Sequence, residues 1–346
     1  MKRHLSSIAL ALALACAQAQ GAEPVAVDVD HRIVLVVDEM LAVRNFPVLL
    51  AERLGYFKDG GMAVTVMNVR YDAWHGDMLM DGRVDAVLAY YHHNIVNQSQ
   101  GRMSQAIVTL GVTPGAKVMV ARQARARYAG PADLAGSRII AGGAGSSKTT
   151  VANSLLMAGG HGIDAYTRLG TEGLAANAEA LRNGSADLLV APTPDASYYE
   201  AQGVATVFAD LTTVAGTRAS LGVLFPSSTV FMDSARIKAH PEFAQHLANA
   251  FVRTLAFINS HSAEEIMALL PEAAFGKKPD RVAYLAALKE TKAMFDNDGR
   301  MPADGARREW EVLSAFDPRY KNVHVEQTYT NRFADEALHR YAKGAP

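Results

Sequence analysis

Ten residues, Ala141 to Thr150, read AGGAGSSKTT and hold the densest ligand-binding chemistry in the chain. They follow an apolar strand-like run, Arg138 to Ile140, and precede a helical run that begins at Val151. Glycines let a backbone approach a ligand, Ser146, Ser147 and Thr149 offer hydroxyls, and the free N–H groups that open a helix attract anions. The nucleotide phosphate loop places its last glycine directly before the lysine. Here Ser147 holds that place before Lys148-Thr149, although Gly142 stands at the right distance, and no convincing strand-terminal aspartate for magnesium follows. Nucleotide hydrolysis is therefore set aside. Gly145, Ser146 and Ser147 remain as candidate ligand contacts. A plain glycine turn with a serine cap would read the same locally; its place after a strand favours the ligand.

A second group runs Tyr90-Tyr91-His92-His93-Asn94. Neighbouring histidines on a strand or turn point to different sides, and neither these two nor His75 has a carboxylate at recognisable ligand spacing, so no metal is expected. Tyr90, Tyr91 and His92 are instead candidates for contact with a small molecule. Of the aromatics Trp74, Tyr90, Tyr91, Tyr198 and Tyr199, one or two are expected to touch a ligand and the rest to be core. Arg44, Asn45 and Phe46 follow the first apolar run, and Pro194-Asp195 follow a later one. Arg44 either pairs with a carboxylate or sulfonate or is a solvated loop residue. Covalent catalysis has no signature: there is no nucleophile elbow, no His–Glu helix pair of the zinc-protease type, and one cysteine, Cys16. Neither an enzyme nor a bound cofactor is expected.

These groups need elements to hold them. Strand-like and helical runs alternate from Arg32 to about Val207, the pattern of an α/β protein with mostly parallel sheet. After the apolar run Ile33 to Val37, Asn45 is placed to cap a helix with Pro47 in its first turn, and Gly55 to end it. The phrase LMDGRVDAVLA (Leu79 to Ala89) is echoed by LRNGSADLLVA (Leu181 to Ala191). Each sets a glycine at a helix end, then an aspartate, then an apolar strand, and each strand runs into a polar or irregular loop. Ligands of open α/β sheets bind outside such strand ends, so two lobes with facing ends would form a cleft. From Pro241 the pattern turns helical, with Phe243, Leu247, Phe251, Leu255 and Ile258 on one stripe and further helices at Asp280 to Phe295 and Ala303 to Phe316.

The 346 residues suffice for two lobes, and 34 basic against 35 acidic residues, with no basic block, make nucleic acid a poor partner. Lys2-Arg3, the apolar run Leu5 to Ala15 and Ala17-Gln18-Ala19 form the three parts of an export signal, with residues 1–19 removed. Cys16 after Ala13-Leu14-Ala15 also fits a loose lipidation signal, so two fates of the N-terminus are open. The expected compartment is the periplasm.

In their order and spacing, the segments FPVLLAERLGYFKDGGMAV, LMDGRVDAVLAYYHHNI, ADLAGSRIIAGGAGSS, APTPDAS and TYTNRFADEA resemble substrate-binding proteins of bacterial ABC importers. The subgroup is the nitrate, sulfonate, taurine and thiamine-pyrimidine class. The resemblance implies a two-lobed type II periplasmic binding protein fold, with mixed, mostly parallel sheets, helices on both faces and a helical C-terminal segment. Lobe one would comprise 31–118 plus 222–346 and lobe two 119–221, with crossings near Val118 to Val120 and Gly222 to Phe225. Ligand contacts would come from Arg44 to Phe46, Tyr90 to Asn94, Gly145 to Ser147, and Pro194-Asp195. The implied partners are a small solute and an inner-membrane ABC permease, the implied state a monomer. Relatives often carry a Tyr-Glu-His-like run where Tyr91-His92-His93 stand here; that loss of a carboxylate, with Arg44, favours an anionic solute. The alternatives are a ligand-sensing partner of a membrane signalling protein and a pyrimidine-related enzyme, whose cysteine-rich motif has no counterpart.

Overall fold

The two echoing phrases occupy equivalent places in two separate sheets. The computed structural model describes residues 32–37, 40–59, 61–69, 74–193, 195–272 and 279–341. Its first half gives β1 (Arg32–Val37), α1 (Pro47–Arg53), β2 (Ala63–Asn68), α2 (Trp74–Met80), β3 (Ala86–Tyr90), α3 (His92–Ser99) and β4 (Ser104–Thr109). The second half gives β5 (Ala116–Ala121), β6 (Arg138–Ile140), α4 (Ser147–Ala158), β7 (Thr167–Leu169), α5 (Leu174–Asn183), β8 (Leu188–Pro192), α6 (Asp195–Ala201), β9 (Ala205–Leu211) and α7 (Val214–Leu221). The chain then returns through β10 (Ser228–Asp233) and α8 (Ser234–Ala239). It ends in α9 (Pro241–Ser260), α10 (Ala263–Leu269), α11 (Pro279–Thr291), α12 (Ala303–Phe316) and α13 (Arg332–Tyr341).

The strand orders are β2-β1-β3-β10-β4 and β7-β6-β8-β5-β9. In each five-stranded sheet four strands run in one direction, and one strand, β10 or β5, is inserted antiparallel to its neighbours. The two sheets are therefore the same unit twice. The aspartates of the echo explain why that unit holds its register. Asp85 accepts the Val34 N–H of β1 at 2.8 Å and the Arg236 guanidinium, also at 2.8 Å. Asp187, its counterpart, accepts the Arg138 N–H of β6 at 2.9 Å and the Arg138 guanidinium at 2.9 and 3.0 Å. Arg127 adds a further ion pair to Asp187. Gly82 and Gly184, at φ +68° and +80°, make the left-handed turns that bring each aspartate to its strand.

Each unit has its own core. Ile33, Leu35 and Val37 of β1 pack with α1 and the stripe Phe243, Leu247, Phe251, Leu255 and Ile258 of α9. Val36, Val87 and Ala89 face the other side, toward Tyr91, Ala306 and Leu313. The second unit buries Val118, Val120, Ile139, Leu188, Val190, Leu155 and Tyr199 together. α1 starts as expected at Pro47, but Asn45 is not its cap. Asn45 closes a short 3-10 turn, Phe46 takes the cap position, and the Asn45 side-chain oxygen accepts from Ser228 Oγ at 3.3 Å. The expected C-terminal helices are present as α11, extended by a 3-10 turn to Phe295, and α12.

The chain crosses between the sheets at 110–115 and again at 212–227. The first crossing is earlier than expected, because Val118 to Val120 are laddered on both sides within β5. The crossings bind each other: Ser227 N–H donates to Gly111 O at 2.8 Å and Phe225 N–H to Val112 O at 3.0 Å.

Asp187 is buried and stitches β8 to β6, so Asp187→Ala strands the Arg138 N–H and both guanidinium contacts. The loss is expected to be about 2–3 kcal/mol of unfolding free energy, the scale of hydrogen bonds to a charged group. Urea denaturation measures it, and a change below roughly 0.5 kcal/mol, the usual spread of inert substitutions, would show that the echo is only sequence decoration.

Candidate functional site

The carboxyl ends of the parallel strands in both sheets border one cavity of about 530 Å³. Arg44, Tyr90, His92 and His93 contribute from the first sheet, following β1 and β3. Gly145, Ser146, Ser147 and Lys148 contribute from the second, following β6. Pro114, Ala116, Val151, Val190 and Pro192 complete the lining. A larger depression of about 710 Å³ lies between α9 and α13, but it is more open and borders no strand end.

The first wall is a row of tilted rings, Tyr90 against His92 by 37° and His92 against His93 by 39°. The Arg44 guanidinium lies 5.0 Å from the Tyr90 ring centre, Tyr90 and His92 are 5.9 Å apart, and His92 and His93 are 4.1 Å apart. His92 is 2 % exposed, and burial pulls its pKa down to about 4, so the imidazole is neutral in ordinary buffer. Its Nδ1 is buried with no hydrogen-bond partner among the described residues.

The second wall is a helix start. Ser146 caps α4, its hydroxyl accepting from Thr149 N–H at 3.2 Å and donating to Ala141 O at 3.0 Å. Thr149 Oγ1 donates to Gly143 O at 2.8 Å and ties the turn down. The serine hydroxyl is thus committed to shaping the loop, while the N–H groups of Ser147 and Lys148 have no acceptor within the helix. Lys148 has no hydrogen-bond or ion-pair partner among the described residues. Asp195, the first residue of α6, feels its charge; burial raises the Asp195 pKa and Lys148 opposes that rise.

Of the residues singled out from sequence, Arg44, Tyr90, His92, Gly145, Ser146 and Ser147 line the cavity. Three are corrected. Asn45 is buried and held to Ser228. Phe46 is buried with its ring edge-on to Phe295 at 5.3 Å. Tyr91 is buried, its hydroxyl donating to Thr328 Oγ1 at 2.5 Å, while Thr328 in turn donates to Val325 O at 2.6 Å. In each case the side chain next to a cavity-lining residue turns into the core. Asp195 flanks the cavity without lining it, and Pro194 lies outside the described residues, as do the side chains of Trp74 and His75. Tyr199 is core, its hydroxyl near Asn177, and Tyr198 packs beside it.

Lys148 was missed, while His93 entered only as part of the loop Tyr90 to Asn94. A lysine in the first helical turn opposes the helix dipole, and that conflict was the available signal for Lys148. His92 and His93 open α3 rather than ending a strand, so both face the cavity instead of alternating. Among the described residues no group of three His, Cys, Asp or Glu side chains could hold a metal ion.

One further buried acid stands near this site. α12 lies against both α3 and α4. Both oxygens of its Glu309 are buried without a hydrogen-bond partner among the described residues. Burial pushes that carboxyl well above its usual value.

The fold is that of the two-lobed type II periplasmic binding proteins. Residues 44–265 match the family described as NMT1/THI5 like, and the chain belongs to that family. Among solved structures, a protein of Bordetella bronchiseptica RB50 is 28% identical with a TM-score of 0.71, over 90% of this chain and 98% of that one. A putative sulfonate ABC transporter's periplasmic sulfonate-binding protein from Methylobacillus flagellatus KT is 14% identical, with a TM-score of 0.67 over 91% and 96%. The desulfurization enzyme DSZB is 16% identical, with a TM-score of 0.60 over 90% and 100%, so the fold also hosts catalysis. No curated protein matches the chain by sequence.

Glu309 supplies a test by pH. Its folded pKa is raised, so above the unfolded value of 4.5 the native state holds a proton that the unfolded chain has lost. Native stability therefore falls as pH rises from there toward the folded value. Glu309→Gln removes this term. The melting temperature of the variant relative to the parent is expected to climb between about pH 5 and pH 8, and a difference that stays flat across that range would rule the buried acid out.

Proposed function

We propose that this protein captures a small organic anion between its two units and delivers it to a membrane permease from outside the cytoplasm. The observation that carries this reading is Lys148, an ammonium with no partner among the described residues, beside the unoccupied N–H groups at the start of α4 and facing the strand ends of the other sheet. Helix dipole and side chain both repel cations there and both attract an anion. Arg44 adds a second cationic group to the lining.

Capture works through closure. Contacts from both walls are complete only when the units approach, so the solute favours the closed arrangement by its differential affinity for it. The crossings at 110–115 and 212–227 are the natural pivots, and each sheet with its helices moves as one lobe. The family and the binding proteins that share this fold support a transport role, and the export pattern at the N-terminus supports the periplasm. Among the described residues no helix is long and apolar enough to cross a membrane. A capture role is preferred to catalysis because, among the described residues, the cavity lining holds no cysteine, no metal cluster, and a histidine pair without a carboxylate beside it.

A thermal-shift panel of methanesulfonate, benzenesulfonate, acetate, benzoate, nitrate, choline and glycerol tests the reading. At least one organic anion is expected to raise the melting temperature, with choline and glycerol silent. Lys148→Gln should then weaken binding of that anion about 10- to 100-fold in calorimetry, the effect of losing one charge-assisted hydrogen bond. Stabilisation by choline, or an unchanged affinity in the variant, would overturn it.

A further inference from the structure

The walls of the cavity also constrain the part of the solute that carries no charge, given that an anion is captured as proposed above. Tyr90 closes β3 and His92 and His93 open α3, which sets three tilted rings in succession, the His92 ring being buried against its neighbours. Beyond them the lining is Pro114, Ala116, Val151, Val190 and Pro192, which offer apolar surface and no side-chain hydrogen bonds. Among the described residues that line the cavity, the cationic groups are Arg44 and Lys148 and none is acidic. At about 530 Å³ the space falls within the range of roughly 300–1,000 Å³ that suits organic ligands, and a four-atom anion such as nitrate would leave most of it to water.

We propose that the solute is a planar aromatic anion, its ring against Tyr90 and His93 and its sulfonate or carboxylate group at the start of α4 beside Lys148. Ring faces and edges attract one another beyond simple burial of area, which an aliphatic body of equal size cannot match. Burial keeps His92 neutral, so it backs the His93 ring and does not compete with Lys148 for the anionic group. Arg44 lies over Tyr90, its guanidinium 5.0 Å from the ring centre.

Calorimetry on the purified protein with two matched pairs decides the matter: benzenesulfonate against cyclohexanesulfonate, and benzoate against cyclohexanecarboxylate. In at least one pair the aromatic member should bind roughly 2- to 13-fold more tightly, the contribution of a ring–ring contact. The pair that shows the preference identifies the anionic group. Tyr90→Leu should abolish that ratio. Equal or reversed affinities within both pairs, or a ratio that survives Tyr90→Leu, would overturn the aromatic assignment while leaving anion capture standing. Methanesulfonate bound as tightly as benzenesulfonate, with acetate likewise equal to benzoate, would do the same. If none of these anions binds, the capture of an anion fails and this inference falls with it.

Discussion

Everything in this molecule depends on two crossings that hydrogen-bond to each other. Leu110 and Gly111 donate to Ser228 O at 2.8 and 3.2 Å, and Ser227 returns a bond to Gly111 O. Because the crossings are paired, the sheets cannot separate independently, and their strand ends are held facing one another. The contact is close, and a side chain at Gly111 would push its neighbours' side chains aside. A Cβ at Gly111 would stand 2.2 Å from Ser227 Oγ and 3.2 Å from Met294 Cε. Met294 follows α11, so the C-terminal helices clamp the same point, and Val112 donates to the Met294 carbonyl at 2.9 Å. A pivot of this kind permits rotation about the crossings while forbidding drift, which is what a cleft that opens and closes on a ligand needs.

The two units are built alike yet do different work at the cleft. Both run strand, helix, strand, helix, glycine turn, aspartate, strand. At the strand ends their chemistry divides. The first supplies rings and one guanidinium, from Arg44 and from Tyr90 to His93; the second supplies backbone N–H groups and one ammonium, from Gly145 to Lys148. Repetition fixes where the loops lie, and the loops themselves are free to differ because no sheet hydrogen bond passes through them. A duplicated scaffold can therefore present unlike halves of a binding site without any change to its cores.

The fold was legible because it is written in short-range terms. Apolar runs, Pro47, the glycine turns and Asp85 and Asp187 each have a local physical meaning, and together they give two α/β units. The mouth of the cleft was legible as loops, since strand ends mark it. What could not be read was which side chain of each loop turns outward. Arg44 and Tyr90 line the cavity while their neighbours Asn45, Phe46 and Tyr91 are locked inside by Ser228, Phe295 and Thr328. Those partners lie 183, 249 and 237 residues away in sequence, and no local pattern announces them. The histidine pair failed for a different reason: a strand period was assumed where the chain had already begun a helix.

Lys148 shows how the empty site is prepared. In the first turn of α4 it adds positive charge where the helix dipole is already positive, an arrangement that mildly disfavours the empty protein. Asp195 offsets this only in part, since burial itself disfavours its charged form and no ion pair between the two forms. The neutral His92 adds no charge to the wall opposite. On the proposed capture, an anion entering between the walls would relieve the repulsion at α4 as it meets the other wall. The gain would be largest when both units contact it, so the conflict at α4 would favour closure. A residue that looks misplaced by helix rules is thus the one on which the proposed selectivity for charge rests.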